Sequence, residues 1–123
     1  MINLSAIVVG INESKYLEKC FESISFCDEI FYFDLGSTDN SISIAKKYTK
    51  NIINHPLVPI AEFIQEKEYK RLKNNWFILI DPDEFIDENL ISKINLINFN
   101  LLDDVGGITV PWNFYFKGKL LKG

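Results

Sequence analysis

Cysteine and histidine are scarce in this 123-residue sequence, which has two cysteines, Cys20 and Cys27, and one histidine. Zinc sites need several cysteine or histidine ligands at short spacing, and small secreted folds need a set of paired cysteines. The sequence therefore excludes a Cys/His zinc site and a disulfide framework. Both cysteines stand among apolar residues, which predicts that they lie in the core of a protein in a reducing cytoplasm.

Glycine, proline and long apolar runs are scarce as well. With six glycines and four prolines, the composition is neither collagen-like nor of low complexity, and no glycine-rich phosphate loop of the Walker or dinucleotide type is present. No apolar run reaches the roughly 18 residues of a membrane span, and no basic stretch before an apolar core marks a signal peptide. These absences argue against kinases, dehydrogenases and membrane-spanning proteins.

Positive charge is also limited, since 13 basic residues against 17 acidic ones give a net charge of −4. A nucleic-acid binder needs clustered lysine and arginine to neutralise phosphates, so we expect no nucleic-acid partner. Hydrophobic residues make up 47% of the chain, enough for a globular core, and the length is typical of one domain. We therefore expect a single domain over residues 1–123.

Short apolar runs alternate with segments of helical periodicity. The runs predict strands at residues 5–10, 29–34, 51–54 and 76–80, and the periodic segments predict helices over residues 16–24, 42–48 and 60–72. A further helix is expected from Asp87 or Asn89 onwards, then strands at 108–112 and 114–116 with a turn at Lys117 and Gly118. Such alternation produces right-handed crossovers between parallel strands. We therefore predict an α/β fold of layers around a mainly parallel sheet.

Three polar loops follow the predicted strands, at residues 10–13, 34–40 and 81–84. Ligands of parallel sheets bind beyond the carboxyl ends of the strands, so we expect the functional site where these loops meet. A receiver-like α/β fold, which also uses acidic strand ends, fits less well because the first strand ends in Val9 and Gly10.

The loop after the fourth strand is acidic. Asp81 and Asp83 are separated by Pro82, and in an extended chain such residues point to the same side. Two close carboxylates repel unless a cation lies beside them, and hard oxygen donors suit Mg²⁺ or Mn²⁺ bound together with substrate phosphates. The alternative is a solvated acidic turn that caps the following helix through Asp83 or Asp87. The residues alone leave both interpretations open.

The loop after the second strand begins with Asp34 and continues through Gly36 to Asp39. Gly36 permits a positive φ or a close approach by a ligand. A carboxylate at this strand end can accept hydrogen bonds from a nucleobase or a ribose hydroxyl, and we expect Asp34 to contact the ligand. For Asp39 we favour an ordinary helix cap.

Four stretches taken together resemble a known family. They are residues 5–13 (SAIVVGINE), 16–23 (YLEKCFES), 27–40 (CDEIFYFDLGSTDN) and 76–84 (WFILIDPDE). In this order and at this spacing they are similar to family 2 glycosyltransferases of the GT-A fold, above all to bacterial enzymes that build lipopolysaccharide cores and other surface glycans. Each motif alone is weak, but the combination is specific and covers essentially the whole chain.

This resemblance implies a nucleotide-diphosphosugar donor, a glycan or lipid-linked acceptor, a divalent metal (Mn²⁺ or Mg²⁺) and an inverting transfer of the sugar. Carried over by position, Asp34 recognises the base or ribose of the donor, and Asn12 and Glu13 line the same pocket. Asp81 and Asp83 match the Asp-x-Asp motif of the family, in which Asp83 ligates the metal and Asp81 contacts the sugar or ribose. The resemblance assigns no role to the next residue, Glu84.

Family members are longer than this chain, and the part in which they carry the catalytic base and the acceptor site has no counterpart in it. The resemblance thus implies an N-terminal, donor-binding portion whose catalytic base is unknown. A non-catalytic nucleotide-binding or interaction module of the same fold stays open as an alternative. The aromatic residues Trp112 and Phe114–Phe116 are crowded together, and we expect them either to finish the core or to pack against a second copy of the chain.

Overall fold

A four-stranded sheet forms the centre of the protein in the computed structural model, which describes residues 2–98, 114–116 and 119–121. Its strands are β1 (Ile2–Gly10), β2 (Cys27–Asp34), β3 (Asn51–Asn54) and β4 (Phe77–Ile80). They lie in the order β3-β2-β1-β4, and each neighbouring pair is parallel. The predicted α/β fold around a mainly parallel sheet is confirmed.

Helices connect the strands, as the periodic segments predict. They are α1 (Ser14–Ser23), α2 (Ser41–Ala45), α3 (Glu62–Glu68) and α4 (Glu88–Asn95), and a 3₁₀ turn (Tyr69–Arg71) follows α3. Later in the chain, β5 (Phe114–Phe116) and β6 (Lys119–Leu121) pair as an antiparallel hairpin. Within the described residues, no helix combines the length and apolar character needed to cross a membrane.

The central strand β1 is buried on both faces and separates two apolar clusters. On one face Ala6 and Val8 pack with residues of β2, α1 and α2, among them Leu17, Cys20, Phe21, Tyr32 and Ala45. On the other face Ile7 and Val9 pack with Phe33 and with Ile64 of α3. Because successive side chains of a strand point to opposite faces, a continuous apolar run is what a strand between two helical layers requires. The predicted burial of both cysteines is confirmed.

A polar network around Ser5 fixes the sheet at the end opposite to the strand carboxyl ends. Ser5 Oγ donates to Glu29 Oε1 at 2.7 Å and accepts from Asn74 Nδ2 at 3.0 Å. Asn74 Nδ2 also donates to Asp28 Oδ1 at 2.6 Å. Ser5 lies on β1, Glu29 on β2 and Asn74 just before β4, so the network aligns three strands and thereby places their carboxyl ends at one edge.

Some elements differ in length from the predicted ones. β1 begins at Ile2 rather than at Ser5. α2 ends at Ala45 because the chain turns towards β2, where Thr49 Oγ1 donates to the carbonyl oxygen of Ile30 at 2.6 Å. α3 ends at Glu68, where the chain tightens into the 3₁₀ turn.

The end of the chain is described only in part. The antiparallel pairing of β5 with β6 confirms the predicted hairpin, whereas the predicted turn at residues 117 and 118 lies outside the described residues. The strand at 108–112 and Trp112 lie outside the described residues, as do the side chains of Phe114–Phe116. Packing of these aromatic residues against a second copy stays a prediction, and so does the extent of the domain.

Candidate functional site

The strand order creates a crevice between β1 and β4. The chain places β2 and β3 on one side of β1 and then crosses to put β4 on the other side. In sheets wound in this way, ligands bind at the carboxyl ends of the strands where the winding reverses. Those ends are Gly10 and Ile80. The predicted polar loops at residues 10–13 and 81–84 therefore flank the crevice.

Gly10 allows the loop after β4 to approach β1. It pairs with Asp34 of β2, and a Cβ atom built on it would lie 2.8 Å from Cγ of Pro82. Carbon atoms at that distance overlap, and Pro82 is buried, so the close approach requires a glycine. The glycine at the end of the β1 run thus has a packing role that its sequence context does not reveal.

We call residues 81–84 the acidic turn. These residues do not extend β4, although the prediction that Asp81 and Asp83 point to the same side assumed an extended chain. The backbone N–H of Glu84 donates to the carbonyl oxygen of Asp81 at 3.0 Å, and Pro82 takes the second position of the turn, where proline is favoured. Asp81 and Asp83 are both exposed. The turn still presents two carboxylates to solvent beside the crevice.

The helix that follows the acidic turn is capped by Asp87. Asp87 Oδ1 accepts a hydrogen bond from the backbone N–H of Leu90 at 2.8 Å, which satisfies one of the free donors at the start of α4. Asp87 is therefore the cap of α4, and neither Asp81 nor Asp83 takes that role.

Four carboxylates, those of Glu13, Asp81, Asp83 and Glu84, form an acidic cluster at the crevice. Burial raises the pKa of Glu13, and the charges of Asp83 and Asp81 raise it further. Burial and the charge of Asp83 likewise raise the pKa of Asp81. The pKa of Glu84 is raised by burial and by both aspartates, although a hydrogen bond from the Asp81 N–H opposes the shift. Among the described residues, no lysine or arginine forms an ion pair with these four side chains.

The donor set of the acidic cluster fits a hard divalent cation. Mg²⁺ and Mn²⁺ prefer oxygen ligands, and they combine one or two carboxylates with water and phosphate oxygens. In the described part of the chain, no three Asp, Glu, His or Cys side chains are gathered closely enough to hold a metal ion among themselves. A cation bound here would therefore take most of its ligands from outside these side chains.

Asp34 lies at the centre of a buried hydrogen-bond network, so its carboxylate is not accessible from the crevice. It is 1% exposed. Its Oδ1 accepts from the hydroxyls of Tyr32 at 2.9 Å and Ser37 at 2.6 Å, and its Oδ2 accepts from the backbone N–H groups of Gly36 at 3.1 Å and Ser37 at 2.8 Å. Both oxygens are satisfied, because Gly36 with φ 103° folds the loop back over the carboxylate. A direct contact between Asp34 and a ligand stays a prediction.

Asn12 joins the loop after β1 to the loop after β2. Its φ of 52° is in the left-handed region, which asparagine tolerates better than most residues. Its backbone N–H donates to Ser37 Oγ at 2.8 Å, and its Oδ1 accepts from the backbone N–H of Thr38 at 2.7 Å. The side-chain oxygen of Asn12 therefore binds the neighbouring loop.

The N-terminus of α1 is capped from the loop after β2. The backbone N–H of Glu13 donates to Ser41 Oγ at 3.0 Å, and that of Ser14 donates to Asp39 Oδ2 at 3.1 Å. Asp39 Oδ1 accepts from the backbone N–H of Ser41, the first residue of α2, at 2.9 Å, although the N-cap position itself is occupied by Asn40 rather than by Asp39 as expected. Hydrogen bonds from Ser41 and Ser14 hold the pKa of Asp39 well below its ordinary value. Ser41 could not be singled out from the sequence, because its only local signal is a hydroxyl near the start of a predicted helix.

Comparisons with known proteins agree with this architecture. No family model matches the chain. LpsC from Rhizobium meliloti, a lipopolysaccharide core biosynthesis glycosyltransferase, is 33% identical over 91 residues, which cover 71% of this chain and 34% of LpsC. The chain thus spans about one third of the length of this curated relative.

Two solved structures share the fold. TarS of S. aureus superimposes with a TM-score of 0.63 at 20% identity, over 90% of this chain and 39% of the TarS chain. Glucosyl-3-phosphoglycerate synthase of M. tuberculosis, in complex with Mn²⁺, UDP and glucosyl-3-phosphoglycerate, superimposes with a TM-score of 0.55 at 19% identity, over 68% of this chain and 35% of the synthase chain. In sequence and in fold, the chain is therefore a relative of bacterial glycosyltransferases of the GT-A type and matches about one third of their length.

Proposed function

We propose that this chain binds the nucleotide-diphosphosugar donor of a glycosyltransferase at the crevice between β1 and β4, together with Mn²⁺ or Mg²⁺. The observation that carries the proposal is the acidic cluster, which no positive side chain among the described residues balances. Two relatives support it: LpsC is named a glycosyltransferase, and the mycobacterial synthase was solved with UDP and Mn²⁺.

The energetics of the acidic cluster favour a bound cation. Burial and mutual repulsion raise the pKa values of Glu13, Asp81 and Glu84, so at neutral pH the folded protein holds charges that disfavour one another. A divalent cation placed among them turns this repulsion into attraction. A diphosphate ligand would supply further oxygen donors to such a cation.

The carboxylates take different roles in this proposal. Asp83 ligates the metal, since it is exposed and its charge acts on each of the other three acids of the cluster. Asp81 lies beside it on the sugar or ribose side of the donor, and Glu13 lines the crevice from β1. When bound, a divalent ion offsets the negative charge of the diphosphate leaving group.

The nucleoside end of the donor is assigned to the loop after β2. Asp34 holds the hydroxyl and the backbone N–H of Ser37 in place, and Asn12 ties the same loop to β1. We propose that both residues act on the base or ribose by shaping this loop. For Asp34 to bind the donor directly, the hydroxyl of Ser37 has to turn away from it.

The reaction proposed for the whole protein is an inverting transfer of the sugar to a hydroxyl of a glycan or lipid-linked acceptor. Such a transfer needs a base that removes the acceptor proton, and we assign no described residue to that role. In this proposal the chain described here supplies the binding site for the donor and the metal. A nucleotide-binding module without transfer activity would bind the same ligands and form no product.

Thermal unfolding in the presence of nucleotides tests donor binding. The chain is melted with UDP, GDP and ADP, each with and without Mn²⁺. A nucleotide at about 100 times its dissociation constant is expected to add roughly 2.7 kcal/mol to the free energy of unfolding, and we expect this gain only when Mn²⁺ is present.

Two variants sharpen this test. Asp83→Ala is expected to remove the part of the shift that depends on Mn²⁺, while Glu66→Ala, which removes an exposed acid of α3, is expected to leave it unchanged. An equal response of both variants, or nucleotide binding that ignores Mn²⁺, overturns the proposal.

A further inference from the structure

Glu84 is the acid of the cluster whose carboxylate binds the protein's own backbone. Its Oε1 accepts a hydrogen bond from the backbone N–H of Asp81 at 2.8 Å, while its own N–H donates to the carbonyl oxygen of Asp81 at 3.0 Å. The two residues thus exchange two hydrogen bonds across the acidic turn. An accepting carboxylate makes such a bond roughly twice as strong as one between neutral groups.

The rest of the acidic turn is also fixed from inside. Pro82 is buried and lies so close to Gly10 that a Cβ there would be 2.8 Å from its Cγ. Cys20 Sγ, whose pKa burial raises to about 12 so that it keeps its proton, lies 3.5 Å from the carbonyl oxygen of Asp81 and donates to it. Asp83, in contrast, is exposed and accepts none of these bonds.

The acids of the turn therefore differ in what they bind. Glu84 is half-buried and its carboxylate accepts from the Asp81 N–H, whereas Asp81 and Asp83 are exposed residues. Rotating the Glu84 carboxylate away from the turn towards a cation would break the bond that its Oε1 accepts from the Asp81 N–H. Held in place, it keeps the two aspartates in one arrangement.

We propose that Glu84 is a positioning residue, which holds the acidic turn closed through the Asp81 N–H so that Asp81 and Asp83 face the ligand, and that it does not itself ligate the metal. The part of this inference that concerns the ligand rests on the proposed function. The part that concerns the turn stands on the two hydrogen bonds alone.

Glu84→Gln and Glu84→Ala separate positioning from ligation. Glutamine keeps an acceptor oxygen for the Asp81 N–H and loses the charge, whereas alanine loses both. We expect the amide signal of Asp81 in ¹⁵N–¹H spectra to move in Glu84→Ala and to stay near its wild-type position in Glu84→Gln. Loss of a hydrogen bond to a charged group is expected to weaken binding of Mn²⁺ in the presence of UDP about tenfold in Glu84→Ala, and Glu84→Gln is expected to restore most of it.

Three results decide the outcome, with folding of each variant checked by circular dichroism. If Glu84→Gln loses Mn²⁺ as severely as Glu84→Ala while the Asp81 amide keeps its position, Glu84 is a ligand and the inference is overturned. If the Asp81 amide does not respond to Glu84→Ala, the turn does not depend on Glu84 and the inference is also overturned. If the wild-type chain binds neither Mn²⁺ nor UDP, the proposed function fails, and the amide signals alone decide whether Glu84 positions the turn.

Discussion

Replacing Gly10 by alanine tests whether the contact between β1 and the acidic turn shapes the crevice. The added Cβ would lie 2.8 Å from Cγ of Pro82 and at ordinary contact distance, 3.5 Å, from Cγ of Glu13. The proline ring is buried and cannot rotate away as a flexible side chain does. Adding atoms to a packed interior typically costs 1–3 kcal/mol, and we expect a loss of about that size in the free energy of unfolding.

The backbone itself does not oppose this change. Among the described glycines only Gly36 has a positive φ, so alanine is compatible with the conformation at Gly10. Where alanine fits without strain, replacing glycine stabilises a protein by about 0.4–1 kcal/mol through the unfolded chain. In a Pro82→Ala background the overlapping Cγ is absent, and there we expect Gly10→Ala to be neutral or stabilising.

Urea unfolding of the wild type, both single variants and the double variant measures the coupling between the two positions. The cycle isolates the pairwise energy from the separate cost of losing the proline. We expect the cost of Gly10→Ala to disappear in the Pro82→Ala background. An equal cost in both backgrounds would refute the explanation of Gly10 by its contact with Pro82.

Two further changes test the electrostatics and the capping. Without metal, Asp83→Asn is expected to raise the free energy of unfolding by about 0.2–1 kcal/mol, the range of exposed charge pairs, because it removes a like charge from the acidic cluster. The folded pKa values of Glu13 and its neighbours in the cluster lie above their unfolded values, so the repulsion is present in full above the folded pKa values and is lost as the pH falls through them. The gain is therefore expected to vanish near about pH 4, and a gain that persists in acid contradicts the assignment. Ser41→Ala removes the buried acceptor of the Glu13 N–H, and we expect it to lower the free energy of unfolding in urea by about 1 kcal/mol. Ser25→Ala, which removes an exposed hydroxyl, should lower it by less. Equal losses in the two variants would argue against the cap.

The strands and their polar ends could be predicted because their signals are local. The apolar run of β1 and the one that ends at Ile80 each carry the local pattern of a strand; β1 is buried on both faces, whereas β4 is only partly buried. Parallel strands then place their carboxyl ends together, which predicts a site near Glu13 and Asp81 without any knowledge of contacts.

The hydrogen bonds of the site could not be predicted, because they join loops that are distant in sequence. Ser41 accepts from the backbone N–H of Glu13, which lies 28 residues earlier at the start of α1, and nothing in the local pattern links the two positions. Asp34 carries the expected carboxylate, yet the positive φ of Gly36 turns the Ser37 hydroxyl onto it. Sequence alone shows the presence of an acid, but its partners depend on the path of the loop.

The acidic turn illustrates the same limit over a short distance. The Asp-x-Asp spacing suggests two carboxylates on one side of an extended chain. Pro82 and the hydrogen bond from the Glu84 N–H to Asp81 make a turn instead. The extended geometry assumed for this spacing was wrong, and the joint action of Asp81 and Asp83 on one ligand stays a prediction.

Locating Mn²⁺ on the ¹⁵N-labelled chain with UDP present tests the central proposal most directly, because the paramagnetic ion broadens the amide signals of nearby residues. We expect selective broadening around Glu13 and Asp83, with Mg²⁺ as the diamagnetic control, and sharp signals at Ser5 and Asn74 at the opposite end of the sheet. Broadening centred on that opposite end, or an acidic turn whose signals stay sharp at saturating Mn²⁺ and UDP, would contradict a metal and nucleotide site at the carboxyl ends of β1 and β4.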